Sequence, residues 1–553
     1  MENLITVINQ HTGAKLFVSS GITLSELYKM IYSESNGRFV AAWVDNVVKD
    51  LSYRLYSPAA VKFVDAGSSE GARIYARSVF FLLLKAVADV LPQGRLRLMH
   101  PVGRGYYFEI EGVGTLSSET VDRLRARMRE LVSMDLPIVR EKLPLDEAVE
   151  MYGKQGATDK LLLLETRPQF FVSSYNLAGV IGYLYGALVP STGYIKTFDI
   201  ESFFEGLVVM MPCKEEFERV ERYCLQSKLF GVFRQNKEWN KIIGIRNVGS
   251  LNKELMEGRA GELIRIGEAL QEKNFANAAD MIAARSEAKI ILIAGPSSSG
   301  KTSFSKRLGV QLSVLGYQPE AISLDNYFVE RELTPRDENG HYDFECLEAL
   351  DVKAFNSDLK RLLAGEDVEL CKFDFKTGSR FFDGTRMQLN ERSILIIEGI
   401  HALNPALTPE IEEAAKFKIY ASALTTLSID DTTIVHTTDN RLLRRMVRDA
   451  KYRSRPASET LRGWGSVRRG EDKHIFPYQE QADLMFGTAL FFEIPILKKY
   501  AMPLLEEVPA IAPEYAEAHR LKRFLSYFVE MSDQGLPPTS ILREFIGGSS
   551  FEY

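Results

Sequence analysis

In this 553-residue chain, the segment Gly295-Pro296-Ser297-Ser298-Ser299-Gly300-Lys301-Thr302, followed by Ser303, most directly implies chemistry. It fits G-x-x-x-x-G-K-[ST]. The glycines let a backbone wrap a phosphate without Cβ clashes, and a helix starting there offers unpaired N–H groups and a positive dipole end. Lys301 is spaced to reach β- and γ-phosphates, and the Thr302 hydroxyl to bind Mg²⁺. Two carboxylates follow apolar, strand-like runs: Asp325 after Ala321–Leu324, and Glu398 at the end of Ser393–Glu398. In open parallel sheets, ligands sit beyond the carboxyl ends of strands. Asp325 is thus placed to take a proton from an acceptor hydroxyl or orient it, and Glu398 to bind Mg²⁺. Arg441, Arg444, Arg445 and Arg448 share one helix face behind Asp439, a candidate N-cap, and Arg453 and Arg455 follow. Guanidiniums grip phosphate oxygens bidentately, and a cluster of them repels itself without an anion. This predicts a lid over ATP that stabilises the transferring phosphoryl group. The plainer readings are a chance loop match, a turn aspartate, an acid ending a strand and a solvated basic face; each weakens when all four features occur together.

The elements needed to position these residues are legible. Ile290–Ile293 reads as a buried strand, and Phe304, Leu308, Leu312 and Leu315 recur at helical spacing before Gly316. Strand and helix patterns alternate from Lys289, which predicts a doubly wound parallel sheet. Positive and negative side chains number 68 and 74, so nothing global favours nucleic acid or membrane as partner. Cys213, Cys224, Cys346 and Cys371 include no C-x-x-C pair, which excludes a zinc ribbon or disulfide framework. The start, M-E-N-L-I-T-V, lacks a basic, long apolar leader, and no run approaches the ~20 apolar residues of a membrane helix. A cytoplasmic protein is expected.

The front half reads differently. Leu4–Asn9 and Ala14–Val18 are strand-like around a turn at His11–Gly13, Thr23–Tyr32 is a capped helix, and Phe39–Val44 and Ala60–Val64 are further strands. This pattern resembles the TGS domain, a β-grasp module. Ala66–Gly71 reads as a linker. An apolar helix over Ala72–Leu91, the run His100-Pro-Val-Gly-Arg-Gly-Tyr-Tyr-Phe-Glu-Ile-Glu111, an amphipathic helix over Ser118–Ser133 and the stretch Pro137–Val149 follow. Together, over about residues 1–165, they are similar to the N-terminal region of threonyl-tRNA synthetases. That family edits mischarged tRNA with H-x-x-x-H and C-x-x-x-H. Arg77 and Phe81 match the first pair, and Cys213 and Phe217 are the nearest candidates for the second. The resemblance therefore implies a retained fold without the hydrolytic set. Tyr185–Gly193, rich in small residues, reads either as a turn between strands or as a loop facing a ligand, and Leu251–Arg285 as a polar-faced helical connection.

The back half resembles the uridine kinase/phosphoribulokinase family over about residues 288–500. Gly295–Thr302, Leu324-Asp325-x-Tyr-Phe, Phe373-Asp-Phe-x-x-x-Ser379-Arg380, Glu398-Gly-Ile and the arginine run through Arg455 carry the resemblance in the family's order. It implies ATP- and Mg²⁺-dependent phosphorylation of a hydroxyl on a nucleoside (uridine- or cytidine-like) or related small acceptor. Asp325 would be the base, with Thr302 and Glu398 around Mg²⁺. Arg445, Arg448, Arg453 and Arg455 would lie on phosphates or acceptor, and Tyr327, Glu345, Phe373, Phe375 and Arg380 at the substrate. Phe373 and Gly378 stand where uridine kinases have the tyrosine and histidine that read the pyrimidine, so the base-reading chemistry departs from the family.

The expected class is multidomain α/β and α+β. Residues 1–65 would form the TGS-like β-grasp module, 72–235 the synthetase-like α+β domain and 236–288 a helical connector. Residues 289–504 would form the P-loop kinase domain and 505–553 a mainly helical tail with Leu521, Phe524 and Phe528 on one face. Thr460–Phe476 reads as an insertion after the lid. Two other functions remain open: an RNA- or ribosome-associated nucleotide-binding protein, and a tRNA-editing hydrolase.

Overall fold

The computed structural model describes residues 3–32, 38–214, 216–223, 226–337, 340–374, 376–425 and 427–552. The chain is a mixed α/β protein with a parallel sheet in its C-terminal half and largely antiparallel sheets in front. The first sheet has five strands, with Leu4–Asn9 between Lys15–Ser19 (antiparallel) and Ala59–Asp65 (parallel). Phe39–Val44 and Val47–Lys49 complete it. The helix Leu24–Ile31 packs under it and opens with a capping box, in which Thr23 accepts from the Glu26 N–H at 3.1 Å. Next comes a four-stranded antiparallel sheet of Arg95–Val102, Gly105–Glu111, Gly206–Met210 and Asp199–Phe203. The apolar helix Ser69–Val90 and the helix Ser118–Ser133 pack together in its core. Val121, Leu124, Met128 and Leu131 of the second helix are all buried, as their spacing implies.

The C-terminal sheet runs Gln318–Ser323, Ser393–Glu398, Ile290–Ala294, Lys416–Ser422, Leu484–Gly487, all parallel. Its central strand Ile290–Ala294 is buried throughout, which is why it reads as an unbroken apolar run.

Several expectations change. Ala66–Gly71 is not a free linker: Ser68 caps the helix through the Gly71 N–H at 3.1 Å, and Gly71 is already helical and buried. A Cβ at Gly71 would stand 1.9 Å from the Asp65 carbonyl oxygen, so glycine there serves close packing. Residues 235 and 236 lie within one helix, Ser227–Ile242, and residues 504 and 505 within another, Glu493–Glu506. The helix Ala260–Ala283 buries Leu263, Ile264, Phe275 and Ile282. Its Phe275 ring lies 5.2 Å from Phe304, on the helix after the phosphate loop. It is thus core rather than connector. Tyr185–Gly193 buries Ala187, Leu188, Val189 and Thr192, leaving Tyr185, Gly186, Pro190, Ser191 and Gly193 half-buried. Thr460–Phe476 lies mostly in a regular helix, Ala457–His474, with Trp464 and Val467 buried. Beyond 505 only Tyr515–Leu525 and Arg543–Ile546 are helical outside the end of Glu493–Glu506. No helix among the described residues is long and apolar enough to cross a membrane.

One apolar core spans both halves, joining Tyr152 and Leu163 to Phe304, Leu443 and Phe545. A buried ion pair sits beside it: Lys160 Nζ lies 2.8 Å from Asp430, whose side chain is fully buried. Burial alone would lower the lysine's pKa, but Asp430 and Asp159 outweigh it and raise it. Removing one partner of such a pair strands the other charge in a medium that solvates it poorly. Lys160→Met should therefore cost about 3–5 kcal/mol in urea unfolding. Lys160→Met combined with Asp430→Asn should recover much of that loss; equal damage from both variants would show that the pair does not join the halves.

Candidate active site

Strand register builds the site. Ile293 pairs with Glu398, and Glu398 with Ser323, so three strand ends stand side by side. Gly295, Asp325 and Glu398 therefore emerge at one edge of the sheet. The phosphate loop leaves the strand at Gly295, where a Cβ would lie 2.0 Å from the Ala421 carbonyl oxygen. Gly300 has φ +83°, and the helix Lys301–Val314 starts directly after it. Ser298 also takes a left-handed conformation, φ 58°. The Ser298 and Ser299 hydroxyls are buried without a hydrogen-bond partner among the described residues. Orphaned donors in a glycine-bounded cradle at a helix N-terminus fit a phosphate.

The acids and bases expected here do converge. Lys301 donates to the Pro296 carbonyl at 3.3 Å, and Thr302 Oγ1 lies 3.4 Å from Glu398 Oε1, which also accepts from Ser323 Oγ at 3.0 Å. The Glu398 pKa is pushed up to about 7, chiefly by burial and further by Asp325 and Glu544, against the pull of Lys301. Asp325 lies open to solvent on the cleft floor, yet the surrounding protein desolvates it and raises its pKa against Lys301, Arg453 and Arg448. Glu345 is pushed to about 7 by burial and Glu471, opposed by Arg445 and Lys301. It packs against the helix Ala457–His474 where only glycine fits: a Cβ at Gly470 would stand 2.4 Å from its own Cβ. The carboxylate of Glu398 and the hydroxyl of Thr302 are hard oxygen donors of the kind Mg²⁺ takes alongside water and phosphate. Among the described residues no larger cluster of metal-ligating side chains exists.

The arginines divide. Arg441 and Arg444 are 1% and 0% exposed and belong to the core rather than to a lid. Arg441 pairs with Glu471 and donates to the Ser297 carbonyl at 2.9 Å. Arg444 meets Glu493 at 2.6 Å and the Ser299 carbonyl at 3.3 Å. These two acids offset the buried pair, whereas Arg445, Arg448 and Arg453 share the single carboxylate of Asp449 and leave a net positive charge at the loop. The helix Thr437–Arg453 starts at His436, and Asp439 is no cap: it takes a bidentate ion pair from Arg520 at 2.6 and 2.8 Å. Arg445 and Arg448 do face the site. Arg445 donates to Ser297 Oγ at 2.7 Å, and Arg448 to Asp449 at 3.0 Å. Arg453 is exposed beside Asp449, at 3.5 Å, and is electrostatically linked to Asp325. Arg455 turns away to Glu459.

Of the expected substrate contacts, Tyr327 is corrected: it is 1% exposed, packs edge-on to Phe355 and donates its hydroxyl to Asp358 at 2.9 Å. Arg380 is committed to Asp351 at 2.8 Å. Phe373 lies against Phe328, with ring centres 5.6 Å apart. Phe375 lies outside the described residues. Gly378 has φ +77°, and a Cβ there would meet Arg331 at 2.8 Å, so a histidine does not fit that turn. In the front half, Phe81 is fully buried, and the segment against it and Arg77 is Gly182–Ala187 rather than Cys213 or Phe217. Phe217 stacks edge-on to Tyr75, and Cys213 is buried beside Arg219.

Three acids at the loop had no signal in the sequence. Glu493 pairs with Arg444, and Glu471 accepts from the Ser297 N–H at 3.1 Å. Glu544, from the short helix Arg543–Ile546, accepts from the Ser303 N–H at 3.2 Å and Oγ at 2.6 Å. Ile541 covers Gly300, and Lys451 holds the tail through the Ile546 carbonyl at 2.7 Å.

Residues 290–490 match the model of the Phosphoribulokinase / Uridine kinase family, so this stretch is of P-loop kinase type. The N-terminal region is similar to threonine–tRNA ligases. That of Rubrobacter xylanophilus is 30% identical over 190 residues, covering 34% of this chain and 29% of the relative. That of Aromatoleum aromaticum is 29% identical over 180 residues, covering 32% and 28%. The chain thus spans less than a third of the length of these relatives. A structure from Silicibacter sp. TM1040, described as a fructose transport system kinase, is 17% identical, with TM-score 0.28 over 38% of this chain and 98% of the other. One from Bacillus stearothermophilus, described as a possible uridine kinase, is 18% identical, with TM-score 0.25 over 36% and 88%. Likenesses at this level add nothing to the family match.

A carboxylate on the Ser303 amide stands where phosphate would seek the same donor. Glu544→Gln should therefore tighten binding of a fluorescent ATP analogue roughly tenfold, about 1.4 kcal/mol. Weaker binding would instead make Glu544 part of the nucleotide's own contacts.

Proposed function

We propose that the C-terminal half built on the parallel sheet, with the tail that carries Glu544, forms an ATP- and Mg²⁺-dependent kinase that transfers the γ-phosphoryl group to a hydroxyl of a nucleoside or related small acceptor. The observation that carries this reading is the register that sets Lys301, Asp325 and Glu398 around one loop at the sheet's carboxyl edge. In it, the loop amides and Lys301 hold the β- and γ-phosphates. Asp325 takes the proton from the acceptor hydroxyl; its raised pKa makes it a stronger base than an ordinary aspartate. Arg445, Arg448 and Arg453 stabilise charge on the phosphoryl oxygens. Glu398 and Thr302 would hold Mg²⁺, which when bound neutralises the phosphates. Glu345, beside Arg445, Lys301 and Asp325, faces the acceptor.

In the same reading the first sheet is a β-grasp module of TGS type, and the segment from the helix Ser69–Val90 through the four-stranded antiparallel sheet is a synthetase-like domain without the hydrolytic residues. The likeness to threonine–tRNA ligases keeps one second reading in view, an RNA-associated nucleotide-binding protein. Its signature would be RNA binding with steep salt dependence.

Mg·ATP turnover against a panel of nucleosides, sugars, sugar phosphates and hydroxy amino acids tests the proposal. Lys301→Ala should abolish turnover while the far-UV circular dichroism is unchanged. Asp325→Asn should lower kcat by about 10²–10⁴ while leaving the Mg·ATP dissociation constant within a few-fold. Equal losses in both constants would remove Asp325 from the proton transfer. Bound ATP without turnover of any acceptor would favour the RNA-associated reading.

A further inference from the structure

A cavity of about 140 Å³ lies away from the phosphate loop, where the helices Ser69–Val90, Thr437–Arg453 and Tyr515–Leu525 converge. This is about the volume that holds one benzene-sized molecule. Arg73, Arg77, Arg520 and Arg523 line it, and three carboxylates, Glu70, Asp439 and Glu517, serve these four guanidiniums. The service is uneven. Arg73 takes Glu70 at 2.6 Å and Glu517 at 3.0 Å. Arg520 takes Asp439 at 2.6 Å and Glu517 at 2.7 Å. Arg77, 18% exposed, is left with Glu70 at 3.8 Å and the Ala187 carbonyl at 3.3 Å. Among the described residues it makes no closer polar contact, and Arg523 makes no ion pair. Burial, reinforced by Arg73 and Arg520 against Glu70, holds the Arg77 pKa below its ordinary value. The two histidines at the cavity are also held below their ordinary value, His436 by burial and by Arg520, Arg73 and Arg77 against Asp439, and His519 by burial, Arg523, Lys522 and Lys49.

The cavity therefore carries one surplus positive charge, centred on a guanidinium with only long contacts. Phe80, Ile434 and Phe524 give it an apolar wall. A guanidinium fork matches a carboxylate bidentately. A monoanion balances the surplus, whereas a phosphate dianion would overshoot it and cost more to desolvate. We propose that this cavity binds a small organic monocarboxylate with an apolar body, its carboxylate held by Arg77 and Arg523. The site is separate from the kinase cleft but mechanically joined to it. Arg520 ties the cavity to Asp439, on the helix that presents Arg445 and Arg448 to the phosphate loop.

Calorimetric titration of the full chain with benzoate, and with benzyl alcohol as its neutral counterpart, tests this. Benzoate should bind saturably, and benzyl alcohol at least about tenfold more weakly. Arg77→Met should weaken benzoate by a similar factor. Lys301→Ala should bind benzoate like the parent, which separates this site from the phosphate loop. Should Arg77→Met melt too early to be titrated, Arg523→Gln at the rim serves instead and should weaken benzoate several-fold. Absence of saturable benzoate binding, equal affinity for the alcohol, or undiminished binding by a folded arginine variant would each overturn the proposal.

Discussion

Two guanidiniums buried beneath a phosphate loop set the terms for the C-terminal half. Arg441 and Arg444 lie almost wholly out of solvent, which is tolerable only because Glu471 and Glu493 meet them. Their remaining donors draw the Ser297 and Ser299 carbonyls inward, and Thr488 joins them on Ser299. The carbonyl side of the loop is held by the protein, while the Ser298 and Ser299 hydroxyls keep no partner among the described residues. The loop is thus preorganised by its back face. This arrangement fixes the helix Thr437–Arg453 at its buried end and leaves Arg445, Arg448 and Arg453 to present charge to the cleft.

The chemistry was legible where it is local, and illegible where it depends on partners far along the chain. Loop, strand and helix around Gly295–Thr302 follow from periodicity and glycine placement. Asp325 and Glu398 follow from strand ends, because parallel register brings strand ends together. The spacing of Arg441, Arg444, Arg445 and Arg448 correctly gave one helix and one broad face. It could not say which members of that face turn into the core, because the deciding acids lie 30 and 49 positions away. Glu544 is 241 positions from Ser303, and nothing in Arg543–Ile546 marks it as a loop contact. Tyr327 misled for a related reason: its hydroxyl is claimed by Asp358, 31 positions away on the helix Val352–Leu363.

The front half does not sit apart from the back. Asp50, between the first sheet and the rest, accepts from Arg140 at 2.9 Å, Tyr175 at 2.8 Å and the Leu188 N–H at 3.0 Å. Asp431 meets Arg95 and, through its N–H, Asp159. Lys160 reaches Asp430 next door. Buried polar links of this kind tolerate few relative positions of their partners, because each misplacement strands a charge. Composition cannot show this. The segments that a sequence reading separates as linker and connector, Ala66–Gly71 and Leu251–Arg285, are ones the structure uses as a helix cap with its first turn and as packed helix.

The acceptor side is constrained by what is already spent. Tyr327 and Arg380 are committed within the protein, and Gly378 occupies a turn that excludes a side chain. What remains near Asp325 is acidic and basic rather than aromatic: Glu345, Arg445 and Arg453. A carboxyl poised near neutrality suits a partner that offers hydroxyls as donors, since an ionised oxygen pair accepts them and a protonated one does not lose its other lone pairs. A flat heterocycle needs fixed donors and acceptors along its edge. The residues that would supply that edge in a pyrimidine-reading site are here a phenylalanine and a glycine. On the proposed kinase reading, these residues would favour a hydroxyl-rich portion of the acceptor over a base.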